Sequence, residues 1–230
     1  MTRLKNYKTV IVASMSVSLF LFLPALLLAQ PPKYSTFYYQ RASLFEKLPV
    51  TSKDVVFLGN SITNGGEWME LLSSANMKNR GISGDVTMGV YDRLEPVING
   101  EPNKIFLLIG INDLARDISE DTIVANIGMI LDKIRLESPL TRVYLQSIMP
   151  VNDHFGMFGS VTKKWSVIKT LNERLKLLAE SKNAVYVDLF TELVEPGTEK
   201  LNLEYTNDGL HLMGDGYLKW AEIIKPYLAQ

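Results

Sequence analysis

One hydroxyl, one imidazole and one carboxylate in this chain are spaced for acyl transfer. Ser61 lies in "VVFLGNSITNGG" (residues 55–66), where an apolar run stops abruptly at Gly59-Asn60-Ser61. A hydroxyl between the end of a strand and a helix expected to open near Gly66 lies close to backbone N–H groups and a helix N-terminus. Both stabilise developing negative charge. A serine nucleophile needs a base. Asp208-Gly209-Leu210-His211 sets a carboxylate three residues before an imidazole. In a helical turn those positions share a face, so Asp208 can hold one ring nitrogen while the other faces Ser61. The other histidine, His154, has only Asp153 beside it. That carboxylate points elsewhere in an extended segment, because successive side chains alternate. His211 is therefore the expected base. The ordinary alternatives are a capping or turn serine, a capping aspartate and a surface histidine.

Acyl transfer also requires donors for the oxyanion. The candidates are the backbone N–H groups of Ser61 and Gly84 and the side-chain amide of Asn112. Gly84 lets the backbone approach a substrate with no Cβ in the way, and Asn112 offers a neutral donor. Turn glycines and asparagines are common, but several such residues at successive strand ends are not. Asn60, Trp68, Asn152 and Tyr205, together with Arg80, are candidates to line the substrate pocket. Their alternatives are core packing, a turn or a solvated charge.

These residues must be held by something, and the pattern of the chain says by what. Short apolar runs at Asp54–Leu58, Met77–Ile82, Lys104–Ile109, Arg142–Ile148 and Ala184–Leu189 are expected to be buried strands. Between them lie helical stripes. Trp68, Met69, Leu71 and Leu72 form one, and Val90, Leu94, Val97 and Ile98 a second. Ile123, Ile127, Ile130, Leu131 and Ile134 form a third, Ile168, Leu171, Leu175 and Leu178 a fourth, and Tyr217 to Leu228 a last. Tyr34 to Leu48 reads as a short helix packed on the domain. Strands alternating with helices imply an α/β fold with a parallel sheet covered on both faces. Ligands then bind outside the carboxyl ends of the strands. Gly59-Asn60-Ser61, Gly81 to Asp85, Gly110 to Asp113 and Met149 to His154 all follow strands; "YTNDGLHL" precedes the last helix.

Taken together, these residues resemble the SGNH hydrolases, also called GDSL-type esterases and lipases. Gly59-Asn60-Ser61-Ile62 is similar to the family's Gly-Asp-Ser block, "NRGISGD" to the block carrying an oxyanion glycine at Gly84, Gly110-Ile111-Asn112-Asp113 to Gly-x-Asn-Asp, and Asp208 with His211 to Asp-x-x-His. The "GNSIT" start resembles the branch of platelet-activating-factor acetylhydrolase-like and carbohydrate acetylesterases. The resemblance implies a three-layer α/β/α flavodoxin-like fold with strand order 2-1-3-4-5. It also implies metal-free ester hydrolysis by Ser61, His211 and Asp208. Asn60 departs from the family's aspartate beside the nucleophile.

The first residues read differently. Arg3, Lys5 and Lys8 precede an uncharged run from Thr9 to Ala29. Residues 1–29 are expected to be a signal peptide ending at Ala29, with an uncleaved anchor as the alternative. Residues 30–52 are a lead segment and 53–230 the hydrolase domain. Export to the periplasm or outside is the expected localisation. The chain has no Cys, which excludes a thiol nucleophile, disulfides and a Cys-linked lipid. With two His there is little material for a metal site, and no metal or other cofactor is expected. Lys and Arg number 24 against 25 Asp and Glu, and no basic stripe suggests nucleic acid. Membrane contact is expected only through a retained N-terminal segment.

The expected partner is a small-molecule or carbohydrate ester. No long insertion suggests a lid or acyl tunnel, which favours a short acyl group such as acetyl. The alternative enzyme is a lysophospholipase or thioesterase, with Met149, Phe155, Met157 and Phe158 against an acyl chain. The ordinary expectation for those four is that they pack their loop onto the domain. A non-catalytic carbohydrate-binding module is the reading from another class.

Overall fold

Val, Ile, Leu and Phe dominate three of the five short runs that build the sheet in the computed structural model, which describes residues 32–229. The strands are β1 (Val55–Gly59), β2 (Met77–Gly81), β3 (Lys104–Leu108), β4 (Arg142–Gln146) and β5 (Val185–Val187). All pair in parallel, in the order β2-β1-β3-β4-β5. This is the α/β architecture and strand order that the resemblance implies. Every residue of β1 and β3 is buried, whereas the edge strands β2 and β5 are only partly buried. Phe57, Phe106 and Tyr144 share one register across β1, β3 and β4. Their rings stack at 5.2 and 4.6 Å, and Trp68 continues the stack on Phe57 at 4.0 Å.

The helices are α1 (Thr36–Lys47), α2 (Ser61–Asn64), α3 (Trp68–Leu71), α4 (Thr87–Asp92), α5 (Glu95–Ile98), α6 (Ile111–Ala115), α7 (Glu120–Glu137), α8 (Gly159–Thr162), α9 (Trp165–Ser181), α10 (Phe190–Leu193) and α11 (Gly214–Leu228). In α7, Ser119 caps the first turn by accepting from the Thr122 N–H, and Glu120 and Asp121 suit the positive helix end. Its whole apolar stripe, Ile123 to Ile134, is buried. α7 packs between α4 and α9, while α11 packs against α3 and α10. Right-handed crossovers put these two groups on opposite faces of the sheet.

The stripe Val90–Ile98 is not one helix: it breaks into α4 and α5 around Arg93 and Leu94. Pro96 lacks an N–H and its ring would collide with the carbonyl four residues back, so a new helix starts with proline in its first turn. All four apolar residues remain buried.

From Lys33 onward the chain forms one compact unit, so this part of the lead segment belongs with the sheet. Tyr38 and Phe45 of α1 pack with Ile82 in a small cluster of their own. The expected signal peptide, residues 1–29, lies outside the described residues. Among the described residues no helix is long and apolar enough to cross a membrane.

Candidate active site

β1 ends at Gly59 and Ser61 is the first residue of α2, five positions ahead of the helix expected near Gly66. Asn60 is the cap, its Oδ1 accepting from the Ile62 N–H at 3.0 Å. An aspartate would offer the same acceptor, so asparagine here leaves the cap intact. A Cβ on Gly59 would collide with the Leu108 carbonyl and the Thr63 hydroxyl, and one on Gly81 with the backbone of Asn64. These two glycines let the nucleophile turn lie directly on the ends of β2 and β3. Its carbonyls are then tied off by side chains. Asn79 Nδ2 lies 3.0 Å from the oxygens of Thr63, Asn64 and Gly66. The Tyr217 hydroxyl donates to Ile62 O at 2.8 Å and the Trp68 indole to Thr63 O at 3.0 Å. Burial pushes the Tyr217 hydroxyl up to about 12, which keeps it a donor.

Ser61 Oγ is 3.0 Å from His211 Nε2, and His211 Nδ1 is 2.7 Å from Asp208 Oδ2. The Asp208–His211 segment is not helical. The carboxylate builds the turn itself, Oδ1 accepting from the N–H groups of Leu210 and His211, both at 2.8 Å. That folds the imidazole back over Oδ2. Gly209 sits at φ 85°, and a side chain there would strike the Asn152 carbonyl. Burial pushes the Asp208 carboxyl up. The bonds from His211 N–H, Leu210 N–H and the ring outweigh it, and hold the group below the usual carboxylate range. An ionised Asp208 assigns the ring tautomer: Nδ1 carries the proton and Nε2 is free to accept from Ser61.

Asp208→Asn is expected to lower turnover by about 10⁴-fold with little change in substrate binding, because the amide favours the wrong tautomer. Its stability signature has a definite sign. A carboxyl lowered by folding stabilises above its unfolded pKa of about 3.9, and loses that contribution as pH falls through its folded value. The stability difference between wild type and Asp208→Asn should therefore shrink below about pH 4, as read by denaturant titration.

Gly84 and Asn112 follow β2 and β3, the two neighbours of β1, so they stand at the same sheet edge as Ser61. Gly84 adopts φ 77°, with open space where a Cβ would point. Arg116 donates to its carbonyl at 2.8 Å. Asn112 Nδ2 gives one hydrogen to Asp85 O at 2.8 Å, which leaves its second N–H for an oxyanion. Below them is a polar layer. Asp113 is fully buried and accepts from the Thr87 N–H and, at 2.6 Å, the Thr87 hydroxyl. Burial pushes the Asp113 carboxyl up, against the Thr87 bonds. The buried Arg93 donates to Asp85 Oδ2 at 2.8 Å, Arg80 O at 2.9 Å and Gly59 O at 3.0 Å. Burial pushes the Asp85 carboxyl up, and the Arg93 guanidinium pulls it down. One side chain thus ties the last residue of β1 to the loop that follows β2. The sequence reading misses Arg93, Asn79 and Tyr217. The available signal for Arg93 was a charge inside the apolar stripe Val90–Leu94.

Several pocket candidates sit elsewhere. Trp68 is 1% exposed and packs on Phe57, Trp220 and Tyr217, so it belongs to the core. Asn152 is buried and committed: Nδ2 donates to Leu201 O, Oδ1 accepts from the His154 N–H, and its own N–H donates to Gly209 O. It docks the loop after β4 onto the His211 turn. Asn60 is buried as the cap. Arg80 is buried, over the Phe45 ring and donating to Leu48 O. Tyr205 is half-buried and packs against the core. His154 is exposed against Phe155, and Asp153 pairs with Lys200. Met149 is buried, but Phe155, Met157 and Phe158 are 38, 48 and 44% exposed rather than packed inward. The Phe158 ring meets His211 edge-on, with centroids 5.2 Å apart.

The chain is 27% identical over 183 residues to platelet-activating factor acetylhydrolase IB subunit alpha2 of Rattus norvegicus, covering 75% of this chain and 73% of the relative. It is 24% identical over 181 residues to the N-acylneuraminate cytidylyltransferase of Escherichia coli O18:K1:H7. That match spans 75% of this chain but only 40% of the relative's length. The crystal structure of a GDSL-like lipase from Bacteroides thetaiotaomicron superimposes with a TM-score of 0.73 at 27% identity, over 84% of this chain and 97% of that one. The sequence model of the GDSL-like Lipase/Acylhydrolase family, which are ester hydrolases, matches residues 57–219. The chain therefore belongs to the GDSL-like lipase/acylhydrolase family.

Proposed function

We propose that the protein hydrolyses short-chain esters, foremost O-acetyl groups on carbohydrates, through a Ser61 acyl-enzyme. The observation that carries this reading is the relay from Ser61 Oγ through His211 to Asp208, at 3.0 and 2.7 Å. His211 Nε2 takes the Ser61 proton as Oγ attacks the carbonyl. The N–H groups of Ser61 and Gly84 and the free amide hydrogen of Asn112 receive the oxyanion. His211 then returns the proton to the departing alcohol, and water releases the acid by the reverse sequence. Kinship with an acetylhydrolase subunit supports a small acyl group. The basic start and uncharged run of residues 1–29 support export to the periplasm or beyond.

The exposed Phe155, Met157 and Phe158 favour one second reading, a lysophospholipase or thioesterase acting on longer acyl chains. Rates on 4-nitrophenyl acetate and octanoate, for wild type and Ser61→Ala, separate the two. Acetate preference supports the proposal and octanoate preference replaces it. Turnover no higher than that of Ser61→Ala would leave a binding module. Asn112→Ala should lower kcat about 10²- to 10³-fold with KM little changed, because its donor is needed only once charge develops on the carbonyl oxygen.

A further inference from the structure

In this mechanism the leaving alcohol takes its proton from His211 Nε2, so its first carbons must lie beside the imidazole. The aromatic ring already there is Phe158, edge-on at 5.2 Å with an interplanar angle of 77°. Phe158 is 44% exposed, so its ring also meets solvent. Its backbone is held at φ 49°, ψ 40°, the left-handed region that disfavours residues with a Cβ. The other non-glycine residues at positive φ among those described are Ser73, Glu101, Asp117 and Asn183, all polar. Strain of this kind persists only where surrounding contacts enforce it. Here Thr162 enforces it, its hydroxyl within reach of the carbonyls of Met157 (2.8 Å) and Phe158 (3.2 Å). The N–H groups of Val161 and Thr162 also donate to Phe158 O. Phe155 turns to His154 instead, so Phe158 stands as the platform next to the relay.

We infer that Phe158 is the alcohol subsite of this enzyme, and that its ring takes the C–H face of the sugar ring carrying the ester. The inference rests on the carbohydrate reading above. A flat aromatic surface suits a pyranose, apolar on its face and polar at its rim. On the alcohol side, a ring half open to water suits such an amphipathic partner better than an alkyl chain.

The test compares an O-acetylated oligosaccharide with methyl acetate, whose alcohol is too small to reach the ring. Phe158→Ala should lower kcat/KM on the oligosaccharide relative to that on methyl acetate roughly 10-fold or more, the discrimination one apolar contact supplies. Phe158→Trp should keep the oligosaccharide rate. Phe158→Gly, which relaxes the left-handed backbone, should melt no lower than Phe158→Ala and show the same selective loss. Equal losses on both substrates, or no loss on the oligosaccharide, would overturn the subsite while the carbohydrate reading stands. Wild type that does not favour the oligosaccharide over methyl acetate would overturn both.

Discussion

Ser61→Ala is expected to reduce kcat by about 10⁴- to 10⁶-fold, the scale seen when a relay nucleophile is removed. The size follows from what is lost. Without Oγ no acyl-enzyme forms, and the remaining donors can only assist direct attack by water. The fold should not notice. The hydroxyl's bond is to His211, the cap of α2 comes from Asn60, and the turn is tied off by Asn79, Tyr217 and Trp68. The melting temperature should therefore move by no more than a few degrees. His211→Ala should cost about as much, and the double variant no more than either, because the groups act as a unit. Steady-state rates on 4-nitrophenyl acetate decide it. A Ser61→Ala protein retaining a tenth of wild-type turnover would exclude the acyl-enzyme.

The largest effect on stability is expected at Arg93, whose guanidinium bonds Asp85, Arg80 O and Gly59 O rather than a member of the relay. Arg93→Leu should cost about 3–5 kcal/mol, the range for breaking a buried ion pair from one side. The guanidinium is the shared donor for Asp85, Arg80 O and Gly59 O. Leucine fills the volume but leaves a buried carboxylate without its cation and two carbonyls without this donor. For a domain of this size that is a fall of roughly 10 °C in melting temperature. Arg93→Lys should rescue only part, since a single ammonium cannot reach three acceptors held in a fork. Adding Asp85→Leu to Arg93→Leu should recover stability by removing the orphaned charge, though not fully, because the carbonyls remain. Denaturant unfolding of wild type, Arg93→Leu, Arg93→Lys, Asp85→Leu and the double variant measures this. Additive losses in the double variant would mean that the pair does not interact as drawn.

The convergence of Ser61, His211 and Asp208, and the place of Gly84 and Asn112 after the neighbouring strands, were readable from the chain alone because two local patterns locate them. Apolar runs of five or so residues define strands, and an abrupt change to Gly, Asn, Ser or Asp marks where each strand ends. In a parallel sheet those ends gather at one edge, so residues up to 150 positions apart can be matched without coordinates. The turn at Asp208 was legible as a carboxylate three residues before an imidazole, although it proved to be an aspartate-built turn rather than a helical one. The break at Pro96 was present in the sequence but overridden by the stripe Val90–Ile98.

Other features belonged to the tertiary structure. Whether Trp68 faces substrate or Phe57, and whether Asn152 lines a pocket or bridges Leu201 and Gly209, depends on what lies across from each. Periodicity says that a residue is on an inner or outer face, not which neighbour it meets there. Arg93 is the sharpest case. Its three acceptors come from positions 59, 80 and 85, and no local pattern encodes a distance between them. Phe158 is the converse: an apolar residue expected to turn inward is held outward beside His211 by a left-handed backbone, which hydrogen bonds from Val161 and Thr162 enforce. Local sequence sets periodicity and strand ends; partnership across the fold is decided only when the layers close on one another.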